Sequence, residues 1–234
     1  MGGLWSIIHP IIMITIYTLI FSHVMKIKIG LPDQEPIDYS IYLCTGIIFW
    51  NLFSELSTTT INIFYHYSSI YKKIPIPIPV FLVINTINSI ISFLPIFIIF
   101  TAYLLLLNKF PASGFIFIIP LLIFQIFFTI SFASILAVLN VFNRDIYHFY
   151  SVFLSLLFWL TPIVYSINII PSKYHYLLAL NPIYSFIENY HKIIVFNDSI
   201  DFHKIIFIFF ISLILITIFI FLFKRLKTEI LDNV

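Results

Sequence analysis

The stretch NVFNRDIYHFYSVFLSLLFWLTPIVYSINIIPSKYHYLLALNPIYSFIE, from Asn140 to Glu188, decides how the rest of the chain is read. One Arg144-Asp145 pair stands between two long apolar runs, and Thr161-Pro162 ends the second of them. Beyond it lie short apolar pieces, Tyr174 to Leu180, Ile183 to Ile187 and Ile193 to Phe196, separated by Asn181-Pro182 and Glu188 and preceded by Pro171. Each is far below the ~20 residues that cross a bilayer as a helix. The pattern predicts a hairpin of short helices dipping into one face of a membrane. Irregular backbone survives at that depth only where protein or a water-filled cavity satisfies its polar groups, so a re-entrant hairpin points to a route through the membrane.

Working outward, the 234 residues are 61% hydrophobic and 9% charged, which excludes the soluble globular classes. The expected fold is an all-α integral membrane protein in a single transmembrane domain, 1–234. Six spans fall at about 7–25, 39–64, 80–107, 114–142, 146–161 and 205–223, with the re-entrant piece at 166–201 between spans five and six. No length remains for a separate water-soluble domain, so any energy-coupling domain is another polypeptide. The first run lacks the basic n-region and small-residue cleavage site of a signal peptide and is read as a retained span. Cys44 has no partner for an internal disulfide. A net charge of +2, with the basic residues at the ends of apolar runs, argues for membrane anchoring and against nucleic acid.

An even number of spans puts both termini on one side, together with Lys72-Lys73 and the turn Asn143-Arg144-Asp145. The twelve lysines and arginines divide six and six between the sides, so the positive-inside rule alone does not orient the chain. The compact groups Lys72-Lys73 and Lys224-Arg225-Lys227 favour termini inside.

Two features inside this frame carry chemistry. Span two contains Asn51 and Glu55, one helical turn apart, followed by Ser57-Thr58-Thr59-Thr60. A carboxylate facing lipid costs several kcal/mol, so Glu55 hydrogen-bonds a neighbouring helix, faces a pathway, or is protonated in the membrane. The passage Tyr65 to Pro79, with Ser68, Tyr71, Lys72, Lys73 and alternating prolines, is either a connector or a docking surface. No P-loop occurs, and the seven histidines show no metal-ligand spacing, so neither nucleotide hydrolysis nor a metal site is expected. Tyrosines at span ends (Tyr39, Tyr42, Tyr65, Tyr67, Tyr71, Tyr147, Tyr150, Tyr165) match an interfacial belt, the alternative being rings that line a conduit.

These motifs together identify a resemblance. The chain resembles the type-2 ATP-binding-cassette (ABC) permeases, in particular those that export O-antigen, capsule or teichoic-acid chains. The match runs through Gly3-Leu4-Trp5 with His9-Pro10, Gly46 to Trp50 with Asn51 and Glu55, and Ser69-Ile70-Tyr71-Lys72-Lys73 with its Ile-Pro lead-in. Its most specific part is Asn140-Val141-Phe142-Asn143-Arg144-Asp145, Thr161-Pro162-Ile163-Val164-Tyr165, Pro171, Leu177 to Pro182, and Glu188.

The resemblance implies a non-enzymatic transport subunit of the bacterial inner membrane, homodimeric, with both termini cytoplasmic. Two copies of a cytoplasmic ABC ATPase would bind the ATP and magnesium, leaving this chain without a cofactor, and a lipid-linked polysaccharide would be the substrate. It implies ATPase docking by Tyr65, Ser68, Tyr71, Lys72 and Lys73, and an outer gate containing Thr161, Pro162, Pro171, Asn181, Pro182 and Glu188. The cytoplasmic turn Asn143-Arg144-Asp145 would brace the movement as a local ion pair, or serve as a turn alone. Members of the family begin with an amphipathic helix, and this chain starts at the Gly-Gly-Leu-Trp that normally follows it. The alternatives are an ABC exporter of a drug or small lipid and, from another class, a membrane-embedded glycan or lipid-carrier enzyme.

Overall fold

The computed structural model describes residues 5–20, 36–71, 77–112, 114–167 and 170–233. Among these the chain is helical, with no strand: α1 (Trp5–Tyr17), α2 (Pro36–Ile61), α3 (Ile63–His66), α4 (Ser68–Tyr71), α5 (Ile78–Leu106), α6 (Ile118–Phe142), α7 (Asp145–Leu160), α8 (His175–Ala179), α9 (Pro182–Ile194) and α10 (Phe202–Asn233). Three helical stretches are long and apolar enough to cross a membrane, Pro79–Leu106, Phe115–Phe142 and Phe202–Ile230. At 26 residues, or roughly 39 Å, α2 also has the length, but Asn51, Glu55 and the hydroxyl run after it dilute its apolarity. α1 and α7 are shorter, at 13 and 16 residues.

The helix ends follow local chemistry. α2 starts on Pro36, whose missing N–H is no loss at a first helical position, with Asp38 in the first turn against the positive end of the dipole. α5 stops where Asn108 enters the left-handed region at φ 55°. The Asn108 N–H then returns to the Leu105 carbonyl at 3.1 Å and that of Lys109 to Leu104 at 3.0 Å, a Schellman closure with asparagine in place of glycine.

Two compact units divide the chain. One gathers residues 1–51, 91–121 and 158–202, and the other 52–90, 122–157 and 203–234. In the first, the ring of Phe49 stacks on Tyr190 at 3.5 Å and meets Phe93 at 5.8 Å, and both Phe49 and Tyr190 are fully buried. Tyr39, Tyr42 and Leu43 form a second cluster against Tyr17, Ile47, Val164 and Val195. In the second unit, Ile63, Phe64, Phe81, Val138, Phe219 and Ile230 are part of one core.

Three helices carry apolar outward faces. On α5, Val83, Ile87, Ile91, Leu94, Ile98 and Leu105 recur at helical spacing and are exposed; Phe207, Phe210, Ile214 and Phe221 repeat the pattern on α10, and Phe149, Val152, Leu156 and Trp159 on α7. Apolar surface of that extent marks contact with lipid or another chain.

Two expectations change. The charged segment from Lys224 continues α10 as helix to Asn233, past the predicted end of span six, because Phe219, Phe223, Leu226 and Ile230 keep one apolar stripe that packs on Ile63 and Phe64. The interfacial belt fails at Tyr39, Tyr42 and Tyr150, which are buried.

Candidate functional site

Four of the six residues predicted for the outer gate, Thr161, Pro162, Asn181 and Pro182, meet in the first unit. Asn181 caps α9: its Oδ1 accepts the Ile183 N–H at 3.0 Å, and Pro182 follows at the first helical position. The Asn181 Nδ2 donates to Thr161 Oγ1 at 2.9 Å, fastening the cap to the end of α7. Next to Thr161, the carbonyl of Pro162 accepts the Tyr42 hydroxyl at 3.0 Å. Thr161, Pro162, Asn181 and Pro182 thus form one joint. The Pro171 carbonyl closes the 3₁₀ turn Ser172–Tyr174, and Glu188 pairs with Lys192 at 3.3 Å along α9.

Sequence reasoning missed the centre of this joint. The His191 ring stacks on Tyr42 at 3.7 Å, and its Nε2–H donates to the Tyr42 backbone carbonyl at 2.9 Å. The Tyr42 hydroxyl reaches both Pro162 and Tyr165 carbonyls, and that of Tyr39 reaches Val164. α9 is too short to span, and burial pushes the His191 imidazole down to about 3, which keeps it neutral. Gly46, one turn after Tyr42, admits this approach: a β-carbon there would lie 3.0 Å from Ile163 Cγ2 and 3.2 Å from His191 Nε2. The signal was present in the spacing of Tyr42 and Gly46 on one helical face, but nothing local names their partner.

The second unit assembles the residues predicted for docking and for the cytoplasmic turn. Asn140, buried, is the hub. Its Nδ2 donates to the Ile61 carbonyl and Asn62 Oδ1, both at 3.3 Å, while its Oδ1 accepts the Tyr147 N–H at 3.2 Å. The hydroxyl of Tyr65 reaches the Asn140 and Val141 carbonyls at 3.1 and 3.2 Å. Arg144 lies over the Tyr65 ring, 4.9 Å from its centroid, with Nε 3.4 Å from the hydroxyl. Arg144 therefore engages Tyr65, and among the described residues it makes no ion pair with Asp145. Asn143 Oδ1 accepts the Asp145 N–H at 3.0 Å and starts α7. Ser68 donates to the Tyr65 carbonyl at 2.9 Å, and Tyr71 ends α4; Lys72 and Lys73 lie outside the described residues.

Asn51 and Glu55 are exposed on α2, and Thr59 continues their face. Glu55 lines an open cavity of about 330 Å³ with Thr58, Asn62, Tyr67, Asn88 and Tyr147. Nearby, Asn85 Nδ2 donates to Thr59 and Thr60 hydroxyls at 3.1 and 2.9 Å, tying α5 to α2. A further cavity, about 490 Å³, opens between Tyr65, Arg144 and His148. Among the described residues no three His, Cys, Asp or Glu side chains converge as metal ligands would.

Comparison with known proteins matches residues 1–195 to the ABC-2 type transporter model. The chain is 29% identical over 228 residues to an O-antigen export system permease protein RfbA of Klebsiella pneumoniae, covering 97% of this chain and 85% of that protein. A second Klebsiella pneumoniae protein of that name is 29% identical over 227 residues. A Myxococcus xanthus RfbA is 26% identical over 199 residues, covering 82% of this chain and 72% of the relative.

Proposed function

The chain belongs to the ABC-2 type transporter family, and from that premise we propose that it is the membrane subunit of an ATP-driven exporter of a lipid-linked polysaccharide, of the O-antigen, capsule or teichoic-acid kind. The observation that carries the reading is the similarity to O-antigen export permeases along 97% of the chain. Membership of the family implies a partner ATPase. In this proposal two copies of the chain join two copies of that ATPase in the bacterial inner membrane, with both termini cytoplasmic and with ATP and magnesium held by the partner. Six spans are assigned to α1, α2, α5, α6, α7 and α10, and residues 166–201 re-enter the membrane between the last two.

The contacts suggest how movement is passed on. Closure of the ATPases pulls the docking segment at Tyr65, Ser68, Tyr71, Lys72 and Lys73. Tyr65 is bonded to the end of α6 and carries Arg144 on its ring, so the turn Asn143-Arg144-Asp145 moves with it. The exposed face of α2, with Asn51 and Glu55, lines the route, since polar side chains in a span are costly against lipid. Pro171, Glu188 and the joint of Thr161, Pro162, Asn181 and Pro182 form the outer gate.

The test is co-purification of the tagged chain with its cognate ABC ATPase, with ATP hydrolysis and cell-surface glycan as readouts. A stable complex is expected, and deletion of the chain should leave lipid-linked polysaccharide inside the cell. Charge reversal at Lys72 and Lys73 should lower ATPase association while the protein stays folded. Failure of any ATPase to associate, or unchanged surface glycan on deletion, would sink the reading.

A further inference from the structure

The two cavities of the second unit share Asn62, His66 and Tyr147 in their linings and so adjoin, making a cleft whose two ends are chemically different. At one end stand the Glu55 carboxylate, the Asn88 amide, the Thr58 hydroxyl and the Tyr67 ring. Carboxylate, amide and hydroxyl groups together both donate and accept, and phenol rings add a flat apolar face. That is what a ring bearing several hydroxyl groups requires. At the other end the lining holds no carboxylate; it offers Arg144 and His148, with His66 between the ends. Arginine matches phosphate geometry through its planar fork of donors. Among the described residues the one hydrogen bond of the Arg144 guanidinium runs from Nε to Tyr65. Its placement over the Tyr65 ring therefore holds the cation in the cleft and leaves the terminal N–H groups to an incoming oxyanion.

From this division we propose that the cleft binds a glycosyl phosphate, with the phosphate on Arg144 and the adjoining sugar against Glu55 and Asn88. The inference rests on the exporter reading and deepens it: the cleft takes the junction at which a polysaccharide is joined through phosphate to its lipid carrier. Neither end alone explains the cleft. An anion site has no use for the Glu55 carboxylate, and a neutral-sugar site has no use for Arg144.

The full chain in phosphatidylcholine nanodiscs is titrated with four probes: farnesyl phosphate bearing glucose, farnesyl phosphate alone, inorganic phosphate, and methyl glucoside. The glucosylated probe should bind about tenfold or more tighter than the other three. Arg144→Gln should weaken both farnesyl probes by about tenfold, with partial recovery in Arg144→Lys. Asn88→Ala should reduce the glucosylated probe to the level of farnesyl phosphate while leaving farnesyl phosphate unchanged. Melting temperatures are compared throughout, and should Arg144→Gln fail to fold, Arg144→Lys and Asn88→Ala decide the outcome. Wild-type affinity in Arg144→Gln, or equal weakening of both farnesyl probes by Asn88→Ala, would overturn the assignment. So would inorganic phosphate binding as tightly as the glucosylated probe, or displacement of that probe by an acidic peptide, which would make the cleft a protein contact. If binding fails while ATPase association and surface glycan persist, the exporter reading stands and only the cleft falls.

Discussion

At Gly46 the α2 backbone comes so close to its neighbours that a β-carbon would sit 3.0 Å from the Ile163 side chain and 3.3 Å from its Cα. Gly46→Ala should therefore destabilise the protein by about 1–3 kcal/mol through overpacking. The double variant with Ile163→Ala should lose less than the sum of the two single losses, as thermal unfolding of the four proteins would reveal. His191, buried beside that glycine, makes stability depend on pH. Its folded value of about 3 lies below the ordinary 6.5, so between these values the unfolded chain takes up the proton that the folded chain refuses. Stability is then unaffected above the unfolded value and falls as pH drops through that window, by up to about 1.4 kcal/mol per pH unit. His191→Phe keeps an aromatic ring on Tyr42 and removes the titration. Its melting temperature should fall less than that of the wild type between about pH 7.5 and about pH 5, and equal slopes would remove this role.

Among the elements, α10 holds the clearest gap between pattern and placement. Charge density marks Lys224 to Lys227 as an anchor, yet Ile230 beyond it is fully buried with Ile63, Phe64 and Phe81. Ile230→Ala should cost about 2–4 kcal/mol, the range for emptying a buried aliphatic site, whereas an unpacked tail would show no change in melting temperature. The stripe Phe219, Phe223, Leu226 and Ile230 was legible in the sequence, at intervals of three and four residues. What those residues pack against was not, because α3 and the start of α5 lie far away along the chain. The passage between α7 and α10 shows the same division. Pro171, Asn181-Pro182 and the short apolar pieces announce brief helices, and the structure places Ser172–Tyr174, α8 and α9 there. The bond from Asn181 to Thr161 joins positions twenty residues apart and has no local signature.

For the molecule as a whole, the exposed surfaces are of two kinds. α5 turns Val83, Ile87, Ile91 and Ile98 outward, while α2 turns Asn51, Glu55 and Thr59 outward. Lipid suits the first face and is costly against the second, which calls for water or a second copy. In a Cys44→Ser background, Thr59→Cys in the membrane-embedded complex should react with a charged thiol reagent, and Ile91→Cys should not. Equal protection of both cysteines would place the α2 face in a dry environment and argue against its lining a route. Native mass spectrometry of the purified complex should give two copies of this chain with two of the ATPase; a single copy would exclude the dimer.

The amino-acid sequence by itself determined the class of the molecule, the breaks at Asn108 and Asn181-Pro182, and the family, because hydropathy, proline, capping asparagine and short ordered motifs act over a few residues. Only the tertiary structure decided that Tyr42 binds His191, that Arg144 rests on Tyr65 instead of Asp145, and that Ile230 belongs to a core. Those outcomes depend on which side chains distant stretches of chain bring within 3 to 5 Å. A residue's own neighbours along the chain carry no record of that.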